Sequence, residues 1–466
     1  YIKSLKIFVI KSQEDVNRGR FHTKMKSGIY ASLDIGTTSI KVIVAEILNG
    51  QVNVIGVGNE HTTGLSRGMV IDIDETAMSI QKAVNQAEDK AGVEVNDLIV
   101  GIPGNDLQID SCYASISINE NQQEITNKEV IQVVEKAIEG NVDKSREGIG
   151  LTLDEFIVDG FDEIKDPRGM IGNRIEFKGI ISSISKSIVH NIKKSVQKAG
   201  FGIQNIILQA EAMSEVALTK DERNFGAILI DLGGGQSSVS VVHNNQLKYT
   251  GLIPEGGEYI TKDLSIVLNT SIKNAEKLKR DIGHAYPAEV NSDRTVAVDV
   301  VGKKDLVHFE EVYLTEIIES RLIQIFEQLK YKLDNIGAKE MPSGIYLSGG
   351  VASLPGIEYL AEDIFNLSVK VYVPDFMSIR YPTFTNAIGL VLKETSLSEV
   401  DQLINQTLVS MSLGEQNKAN KNIIRKEFAN EEINHSEDRM EERPENKQNT
   451  KSFTDTMKDI ISGFFD

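Results

Sequence analysis

Residues 227–242 have the sequence Ala227-Ile-Leu-Ile-Asp231-Leu-Gly233-Gly-Gly235-Gln-Ser-Ser-Val-Ser-Val-Val242, and this stretch decides the fold class. An apolar run ends in an aspartate and three glycines, and a second run alternates Ser with Val, which predicts a β-hairpin. Glycines at the tip let backbone N–H groups approach a polyphosphate, and the aspartate can hold the hydrated Mg²⁺ that accompanies it. A triple glycine is also compatible with an ordinary turn, so this stretch alone leaves both interpretations open.

A second stretch repeats the pattern, with the sequence Ile29-Tyr-Ala-Ser-Leu-Asp34-Ile-Gly36-Thr-Thr-Ser-Ile-Lys41-Val-Ile-Val-Ala45. Two such hairpins facing each other would clamp a phosphate chain. A third stretch, Gly344-Ile-Tyr-Leu-Ser-Gly349-Gly350-Val-Ala-Ser-Leu-Pro-Gly356, predicts a buried strand that runs into a glycine pair. A nucleoside can lie against the bare backbone there, so the three stretches together predict a nucleotide site.

These three stretches, in this order, resemble the actin, sugar-kinase and heat-shock ATPase superfamily. The chain more closely resembles the FtsA family of bacterial cell-division proteins, through residues 65–72, 251–263, 275–279 and the C-terminal segment. The resemblance begins near Met25 and excludes the linker before that segment. It implies an α/β, actin-like, two-lobed ATPase fold of duplicated ribonuclease-H-like domains, with inserted small subdomains, a disordered tether and a C-terminal amphipathic helix.

The expected domain organisation combines this resemblance with the local patterns. A chain of 466 residues is too long for one hydrophobic core, so at least two lobes are expected. Residues 1–26 are expected to lie outside the fold, with a short N-terminal anchor as the alternative. The remaining segments are a first lobe (27–106, 181–222 and 378–400), its inserted subdomain (107–180), a second lobe (223–262 and 314–377), its small subdomain (263–313), a flexible linker (401–452) and an amphipathic helix (453–466).

Charge and cysteine content exclude several protein classes. The net charge of -18 and the lack of a basic stripe argue against a nucleic-acid binder. The single cysteine, Cys112, cannot form an intramolecular disulfide, which suits a reducing cytoplasm. No group of Cys and His has the spacing of a zinc site, so a structural zinc is not expected.

The resemblance implies ATP and Mg²⁺ as cofactors and assigns roles to individual residues. Asp34 and Asp231 would hold Mg²⁺ through water. Lys41 would reach the phosphates, or would be a solvated strand lysine. Glu276 and Lys279, three residues apart on one helix face, would border the ribose, or would form an ordinary surface ion pair. The nucleotide-binding residues expected are Asp34, Gly36, Thr37, Thr38, Lys41, Asp231, Gly233, Gly234, Gly235, Gln236, Gly256, Gly257, Glu276, Lys279, Gly349 and Gly350.

Hydrolysis of the nucleotide is expected to be weak or absent. Gln209 and Glu211 lie near the lobe crossover, where hydrolases of the superfamily position a water, although polar hinge residues are the alternative interpretation. Gln236 stands where many relatives have Thr. No residue is identified as a catalytic base.

A long helix from about residue 314 to 333 has an apolar stripe, with Arg321 and Gln324 near its flank. The resemblance implies that these two residues receive the acidic C-terminal peptide of FtsZ. The alternative is an ordinary solvated arginine.

Residues 412–452 are rich in Asn, Glu, Lys and Gln, a composition that cannot bury enough apolar surface to become ordered. After them, apolar residues recur at helical spacing: Phe453, Met457, Ile460, Ile461, Phe464 and Phe465. This segment is interpreted as a membrane-surface helix, with a partner groove or the globular body as alternative docking sites. Lys458 is almost the only nearby cation, so a single copy is expected to bind lipid marginally, and a filament of many copies to bind by avidity.

The function expected from the resemblance is that of an ATP-binding protein that polymerises on the cytoplasmic side of the cell membrane at the division septum. It would anchor FtsZ there as a peripheral membrane protein and help to recruit other division proteins. The alternatives are a small-molecule kinase, a chaperone-like ATPase, and a cytoplasmic actin-like adaptor whose C-terminal helix docks on a protein. The kinase would need an aspartate base between the lobes and the chaperone a strand-rich domain after residue 400, and neither is evident.

Overall fold

We describe the fold from a computed structural model, which describes residues 26–118, 124–338 and 341–413. The predicted membrane-contacting residues 453–466, most of the predicted linker and residues 1–25 lie outside the described residues.

Residues 28–102 form four of the five strands of the first sheet and a helix that packs against it. Asp72 caps that helix, because its Oδ1 accepts hydrogen bonds from the N–H groups of Asp74 and Glu75. Gly92 ends the helix in the left-handed conformation. The elements are β1 (Gly28–Ile35), β2 (Ser39–Leu48), β3 (Gln51–His61), β4 (Leu65–Ser66), β5 (Met69–Val70), α1 (Ile73–Ala91) and β6 (Asp97–Ile102).

An inserted sheet follows, with the strand order β7-β10-β8-β9. Three of its four strands are long, with 10, 13 and 12 residues. Phe156 and Phe177 pack edge to face in its core. Its elements are β7 (Gln108–Ser117), α2 (Asn127–Asn141), β8 (Arg146–Val158), β9 (Phe161–Ile164) and β10 (Arg174–Ser185).

The chain then completes the first sheet, which has the order β11-β6-β1-β2-β3. Strands β1 to β3 are an antiparallel meander, whereas β6 and β11 pair in parallel. The added elements are α3 (Lys186–Lys198), β11 (Gly202–Leu208), α4 (Gln209–Ala217) and α5 (Lys220–Phe225).

The second sheet repeats this topology, with the order β14-β13-β12-β17-β18. Again a meander of three antiparallel strands is extended by two parallel strands. The two sheets therefore have the duplication expected from the repeated hairpin sequences. The strands are β12 (Ala227–Leu232), β13 (Ser237–His243), β14 (Gln246–Ile253), and, after the next helices, β17 (Ile345–Ser348) and β18 (Val369–Val371).

Residues 257–281 form two helices with a short break between them. Asn269 has a φ of 49°, which interrupts the helix, and the Ser271 side chain accepts the Asn274 N–H to cap the second one. The elements between β14 and β18 are α6 (Gly257–Val267), α7 (Ile272–Asp281), the strand pair β15 (Thr295–Val298) and β16 (Val307–Glu310), α8 (Glu311–Asn335) and α9 (Ile357–Phe365).

Two helices end the described part of the chain, α10 (Thr385–Ser396) and α11 (Glu399–Leu413). Helix α10 packs against the first sheet, and Ser32 of β1 donates a hydrogen bond to the Ala387 carbonyl at 2.7 Å. Helix α11 covers residues 401–413, which were predicted to begin the flexible linker. Its Val400, Ile404 and Leu408, spaced four residues apart, are buried in the core of the inserted sheet, and this burial stabilises the helix.

Candidate nucleotide site

The tips of the β1–β2 and β12–β13 hairpins face each other and touch. A Cβ atom added to Gly234 would lie 2.5 Å from Thr38 Oγ1, and one added to Gly235 would lie 2.5 Å from Thr37 Cγ2. Only glycine fits at these two positions, because the opposite tip occupies the space. Each tip is closed by the same kind of backbone hydrogen bond, from Gly36 N to Ser39 O at 3.2 Å and from Gly233 N to Gln236 O at 3.1 Å.

Asp34 is the last residue but one of strand β1 and is 3% exposed. Its cross-strand neighbour Lys41 is also buried, and Lys41 Nζ lies 3.7 Å from Asp34 Oδ2. The other carboxylate oxygen accepts a hydrogen bond from Gln209 Nε2 at 2.7 Å. One cation and one amide thus hold this carboxylate in place, and Lys41 is not a solvated strand lysine.

Asp231 occupies the equivalent position on strand β12. Its Oδ2 accepts a hydrogen bond from Asn386 Nδ2 of helix α10 at 2.8 Å. Burial raises the pKa of Asp231; the Asn386 hydrogen bond opposes the rise, the charge of Asp34 adds to it, and Lys41 opposes it. Two carboxylates close enough to repel each other form a site that favours a cation between them.

The third predicted stretch, residues 344–356, contacts Asp231 at the same site. A Cβ atom added to Gly349 would lie 2.4 Å from Asp231 Oδ1, and Gly349 has a φ of 92°, so only glycine suits this turn. Gly350 follows directly and precedes a short 3₁₀ turn over Val351–Ser353. The side chain of Val351 contacts Gly257, since a Cβ there would lie 2.8 Å from Val351 Cγ2.

Gly256 and Gly257 start helix α6 and secure the second hairpin tip. Gly257 N donates to the Gly233 carbonyl and Glu258 N donates to the Gly234 carbonyl, both at 2.9 Å. A Cβ on Gly256 would lie 2.4 Å from the Gly233 oxygen. These glycines lie at the predicted site, but the backbone N–H of Gly257 is already used to position the tip.

Glu276 and Lys279 lie on helix α7 and face helix α6. Lys279 Nζ donates to Glu276 Oε2 at 2.7 Å, to Thr261 Oγ1 at 2.7 Å and to the Gly257 carbonyl at 2.9 Å. Burial lowers the pKa of Lys279, and the hydrogen bond that Lys279 donates to Glu276 opposes the change. Through these contacts the pair joins helix α7 to the start of helix α6 at Gly257, so it is not an isolated surface ion pair.

A short loop that the sequence analysis did not assign to the site covers both tips. Gly68, between β4 and β5, donates its N–H to Thr37 Oγ1 at 3.0 Å, and a Cβ on it would lie 2.3 Å from Gln236 Oε1. Asn105 Nδ2 donates to the Arg67 carbonyl of the same loop at 3.1 Å. Positive φ values at Arg67 (51°) and Gly68 (74°) shape the loop; the glycine in residues 65–72 was the one sequence signal available.

The two hinge residues separate in the structure. Gln209 contacts Asp34, as described above, whereas Glu211 lies beside Gly150 of the inserted sheet, where a Cβ would be 3.8 Å from Glu211 Oε1. Burial raises the pKa of Glu211, Lys393 lowers it and Glu215 raises it further. Of the two, only Gln209 has a contact with a tip carboxylate.

Arg321 on helix α8 is largely buried and already paired. Its guanidinium donates to Asp263 at 2.6 and 3.1 Å, to Glu255 at 3.2 Å and to Gln324 at 2.7 Å, and it lies over the Tyr259 ring. The Asp263 hydrogen bonds are the largest cause of its raised pKa. Because of these contacts, Arg321 is not the solvated arginine of the alternative interpretation. Gln324 is exposed on the helix surface.

Comparisons with known proteins identify the family. Residues 228–389 match the model of cell division protein FtsA, and residues 104–182 match the SHS2 domain inserted in FtsA. The cell division protein FtsA of Enterococcus hirae is 43% identical over 444 residues, which are 95% of this chain and 100% of that relative. The chain belongs to the FtsA family.

More distant FtsA relatives agree with this assignment. The FtsA of Bacillus subtilis (strain 168) is 40% identical over 363 residues, covering 78% of this chain and 82% of that protein. The FtsA of Borreliella burgdorferi is 32% identical over 389 residues, covering 81% of this chain and 94% of that protein. The predicted membership of a family of cell-division proteins is confirmed.

Solved structures confirm the predicted actin-like α/β fold of this FtsA-family chain. A PilM–PilN type IV pilus biogenesis complex superimposes with a TM-score of 0.53 at 16% identity, covering 79% of this chain and 99% of that one. MreB5 of Spiroplasma citri, solved bound to ADP, gives 0.50 at 13% identity, covering 78% and 96%. At these identities the likeness concerns the fold alone.

Within residues 26–118, 124–338 and 341–413, no helix has the length and hydropathy of a membrane span.

Proposed function

We propose that this FtsA-family protein binds ATP with Mg²⁺ between the two hairpin tips, and that it anchors FtsZ to the cytoplasmic membrane as a membrane-bound filament. The observation that carries the nucleotide proposal is the pair of facing tips, each with a strand-end aspartate. Asp34 and Asp231 are close enough for mutual repulsion to contribute to the raised pKa of Asp231. A hydrated cation relieves that repulsion, and the phosphates of a nucleotide accompany such a cation.

The residues present fit a magnesium nucleotide. Carboxylates and an amide supply the oxygen ligands that Mg²⁺ or its water shell prefers. Gly36 and Gly234 add no side chain of their own to the tips, so the backbone N–H groups of the tips can approach a phosphate closely. Bound Mg²⁺ would neutralise phosphate charge. Lys41 would add positive charge beside the first tip, and Gln209 would keep the Asp34 carboxylate turned towards the site.

The adenosine would lie between helix α7 and the Gly349–Gly350 turn. Glu276 has a 41% exposed side chain, and its Oε2 accepts from Lys279. Its Oε1 lies 3.8 Å from Arg280 Nε, beyond hydrogen-bond distance, and would accept from a ribose hydroxyl. Gly350 leaves the backbone of this turn open, since a Cβ atom added there would meet only Thr383 Oγ1, at 4.0 Å. Asp231→Ala is expected to abolish ATP binding, and Glu276→Ala to weaken it without affecting the Mg²⁺ dependence.

The membrane and FtsZ parts of the proposal rest on sequence and family. Phe453, Met457, Ile460, Ile461, Phe464 and Phe465 would contact lipid in many weak copies along a filament. FtsZ and later division proteins would bind the assembled filament. No catalytic residue is proposed. ATP would mainly set the angle between the two lobes.

The experiment that tests this function is co-sedimentation with liposomes of anionic and neutral lipid, with and without ATP, using the full chain and a truncation before Phe453. The full chain is expected to pellet with lipid, more so with ATP, and the truncation to stay in solution. If the full chain, like the truncation, remains in solution with ATP bound, the membrane proposal is contradicted. The actin-like adaptor, whose C-terminal helix docks on a protein, would then be favoured.

The proposed FtsZ contact is tested at Gln324, because Arg321 is held by Asp263 and Glu255. Gln324→Glu would offer Arg321 an internal carboxylate at the exposed flank and compete with an acidic peptide. It is expected to weaken binding of an FtsZ C-terminal peptide without unfolding helix α8. An unchanged dissociation constant would remove this flank from the proposed site, and Glu316→Gln on the same helix is the control.

A further inference from the structure

Asn386 joins the two halves of the candidate site, although no sequence pattern assigned it a role. It is the second residue of helix α10, is 8% exposed, and donates through Nδ2 to Asp231 Oδ2 at 2.8 Å. Helix α10 is fixed to the first sheet by the hydrogen bond from Ser32 to the Ala387 carbonyl. The bond to Asp231 therefore crosses from an element of the first sheet to a carboxylate of the second.

The other polar atom of this side chain, Asn386 Oδ1, is buried and has no hydrogen-bond partner among the described residues. Turning the amide over would not satisfy it, because the oxygen would then face the Asp231 carboxylate. A buried carbonyl oxygen without a donor is uncommon in folded proteins and is normally satisfied by water or a ligand. The amide thus presents one unused acceptor next to a carboxylate.

We infer that Asn386 is an outer ligand of the magnesium site, with Oδ1 accepting a hydrogen bond from a water of the Mg²⁺ hydration shell. The inference rests on the proposed magnesium nucleotide. Oδ1 shares its amide group with Nδ2 and so lies within about 5 Å of Asp231 Oδ2. Mg²⁺ keeps several waters when bound to proteins, and each is a stronger donor than free water, which suits an acceptor at this distance.

The arrangement differs from that on the opposite carboxylate. Gln209 holds Asp34 from the start of helix α4, which directly follows strand β11 of the first sheet, and Asp34 lies on β1 of the same sheet. Asn386 holds Asp231 across the two sheets. A relative movement of the two sheets would break the Asn386 contact and leave the Gln209 contact intact. Through Asn386, the magnesium site would therefore depend on the position of the two sheets described here.

The test measures ATP affinity of the full chain by titration calorimetry, once with Mg²⁺ and once with EDTA. Asn386→Leu keeps the side-chain volume but removes both polar atoms. It is expected to reduce the affinity gained from Mg²⁺ about tenfold, the effect of one lost hydrogen bond to a charged group, and to change the affinity in EDTA less than about twofold.

The outcomes separate this inference from the proposed function. Absence of ATP binding by the wild-type chain would overturn both. A wild-type affinity that depends on Mg²⁺, together with the same dependence in Asn386→Leu, would overturn the role of Asn386 alone. Wild-type binding that does not depend on Mg²⁺ would overturn the magnesium site and this inference, but not nucleotide binding.

Asn205→Leu is the matched control. Asn205 is 6% exposed and donates to Glu394 Oε2 of the same helix at 2.7 Å, but its Oδ1 is satisfied by Ile206 N at 2.8 Å. This variant is expected to lose thermal stability and to keep the wild-type Mg²⁺ dependence. A reduced Mg²⁺ dependence here, equal to that of Asn386→Leu, would mean that any loosening of helix α10 has the same effect, and would overturn the specific role.

A second variant keeps the inference testable if Asn386→Leu does not fold. Asn386→Asp preserves the shape and places a third carboxylate beside Asp34 and Asp231. Without nucleotide, added Mg²⁺ is expected to raise the Tm of this variant more than that of the wild type. An equal rise in the two proteins would place Asn386 outside the influence of the cation and refute the inference.

Discussion

Substitution of Asp231 by asparagine tests the candidate site without changing its shape. The carboxylate is buried, and burial is the largest cause of its raised pKa. In Asp231→Asn the introduced amide oxygen can still accept the hydrogen bond from Asn386, so packing and hydrogen bonding are retained. Only the charge that a cation would neutralise is removed.

The raised pKa fixes the direction of the effect on stability. Because the folded state binds the Asp231 proton more tightly than the unfolded state, the stabilisation from that proton is complete below the unfolded-state pKa of 3.8 and is lost as the pH rises through the folded-state pKa. Above the folded-state pKa, the ligand-free wild type therefore holds an unfavourable charge that the variant lacks. The variant is expected to melt at the same temperature or higher, and the difference should shrink as the pH falls towards about 4.

Magnesium and ATP should reverse this order. At a free ligand concentration about 100 times its dissociation constant, the wild type gains about 2.7 kcal/mol, whereas a variant that cannot bind gains nothing. For a domain of 150 to 250 residues each kcal/mol raises the Tm by about 2–4 °C, so a wild-type shift of several degrees is expected. Differential scanning fluorimetry of both proteins, with and without MgATP between pH 5 and 8, measures both effects.

A variant that melts well below the wild type without ligand would show that Asp231 stabilises the fold as a carboxylate. A variant with the same MgATP-induced shift as the wild type would refute the assignment of Asp231 to the nucleotide site.

Three further substitutions test other parts of the structure. Gly234→Ala would place a methyl group 2.5 Å from Thr38 Oγ1, so it should separate the hairpin tips, cost about 1–3 kcal/mol in a guanidinium melt and weaken ATP binding. Ile404→Ala removes a fully buried side chain of helix α11 and should lower the free energy of unfolding by about 2–5 kcal/mol. Hydrogen exchange should become faster in the inserted sheet. The control Met411→Ala, at a 37% exposed position, should have little effect on either measurement. Arg321→Glu leaves two carboxylates without their cation and adds a third, so the free energy of unfolding measured in urea should fall by at least about 1.5 kcal/mol; an unchanged free energy of unfolding would contradict the pairing.

The sequence predicted the parts of the site that local pattern controls. The strand, Asp-x-Gly tip and returning strand are continuous in sequence, and β-hairpins form from such neighbours, so Asp34 and Asp231 could be assigned to tips before the structure was known. That the tips face each other follows from duplication of the motif. The contacts of Gly234 and Gly235 with Thr38 and Thr37 confirm this juxtaposition.

Contacts between residues distant in the chain could not be predicted in this way. The helical pattern places Arg321 outside the apolar stripe, which predicts an exposed side chain. Its contacts with Asp263 and Glu255 are evident only in the structure. Asn386 lies just before an apolar run of helix α10, residues 387–392, and nothing local indicates a carboxylate 155 positions away. Helix α11 was missed because its polar residues resemble the following segment in composition, although its buried residues recur every fourth position.

Helices α10 and α11 give the three sheets a common connection. Helix α10 packs on the first sheet and supplies Asn386 to the carboxylate of the second. Helix α11 follows after Leu397 and Ser398 and completes the core of the inserted sheet.

The end of helix α11 adds a polar contact, because Lys193 of helix α3 contacts both Glu147 of the inserted sheet and Ser412. Helix α10 cannot move far without pulling on α11, since only two residues separate them, and α11 cannot leave the inserted core without exposing its buried stripe. A change at the Asp231 carboxylate is therefore expected to reach the inserted sheet through these two helices, by a route that does not require the strands of either larger sheet to bend.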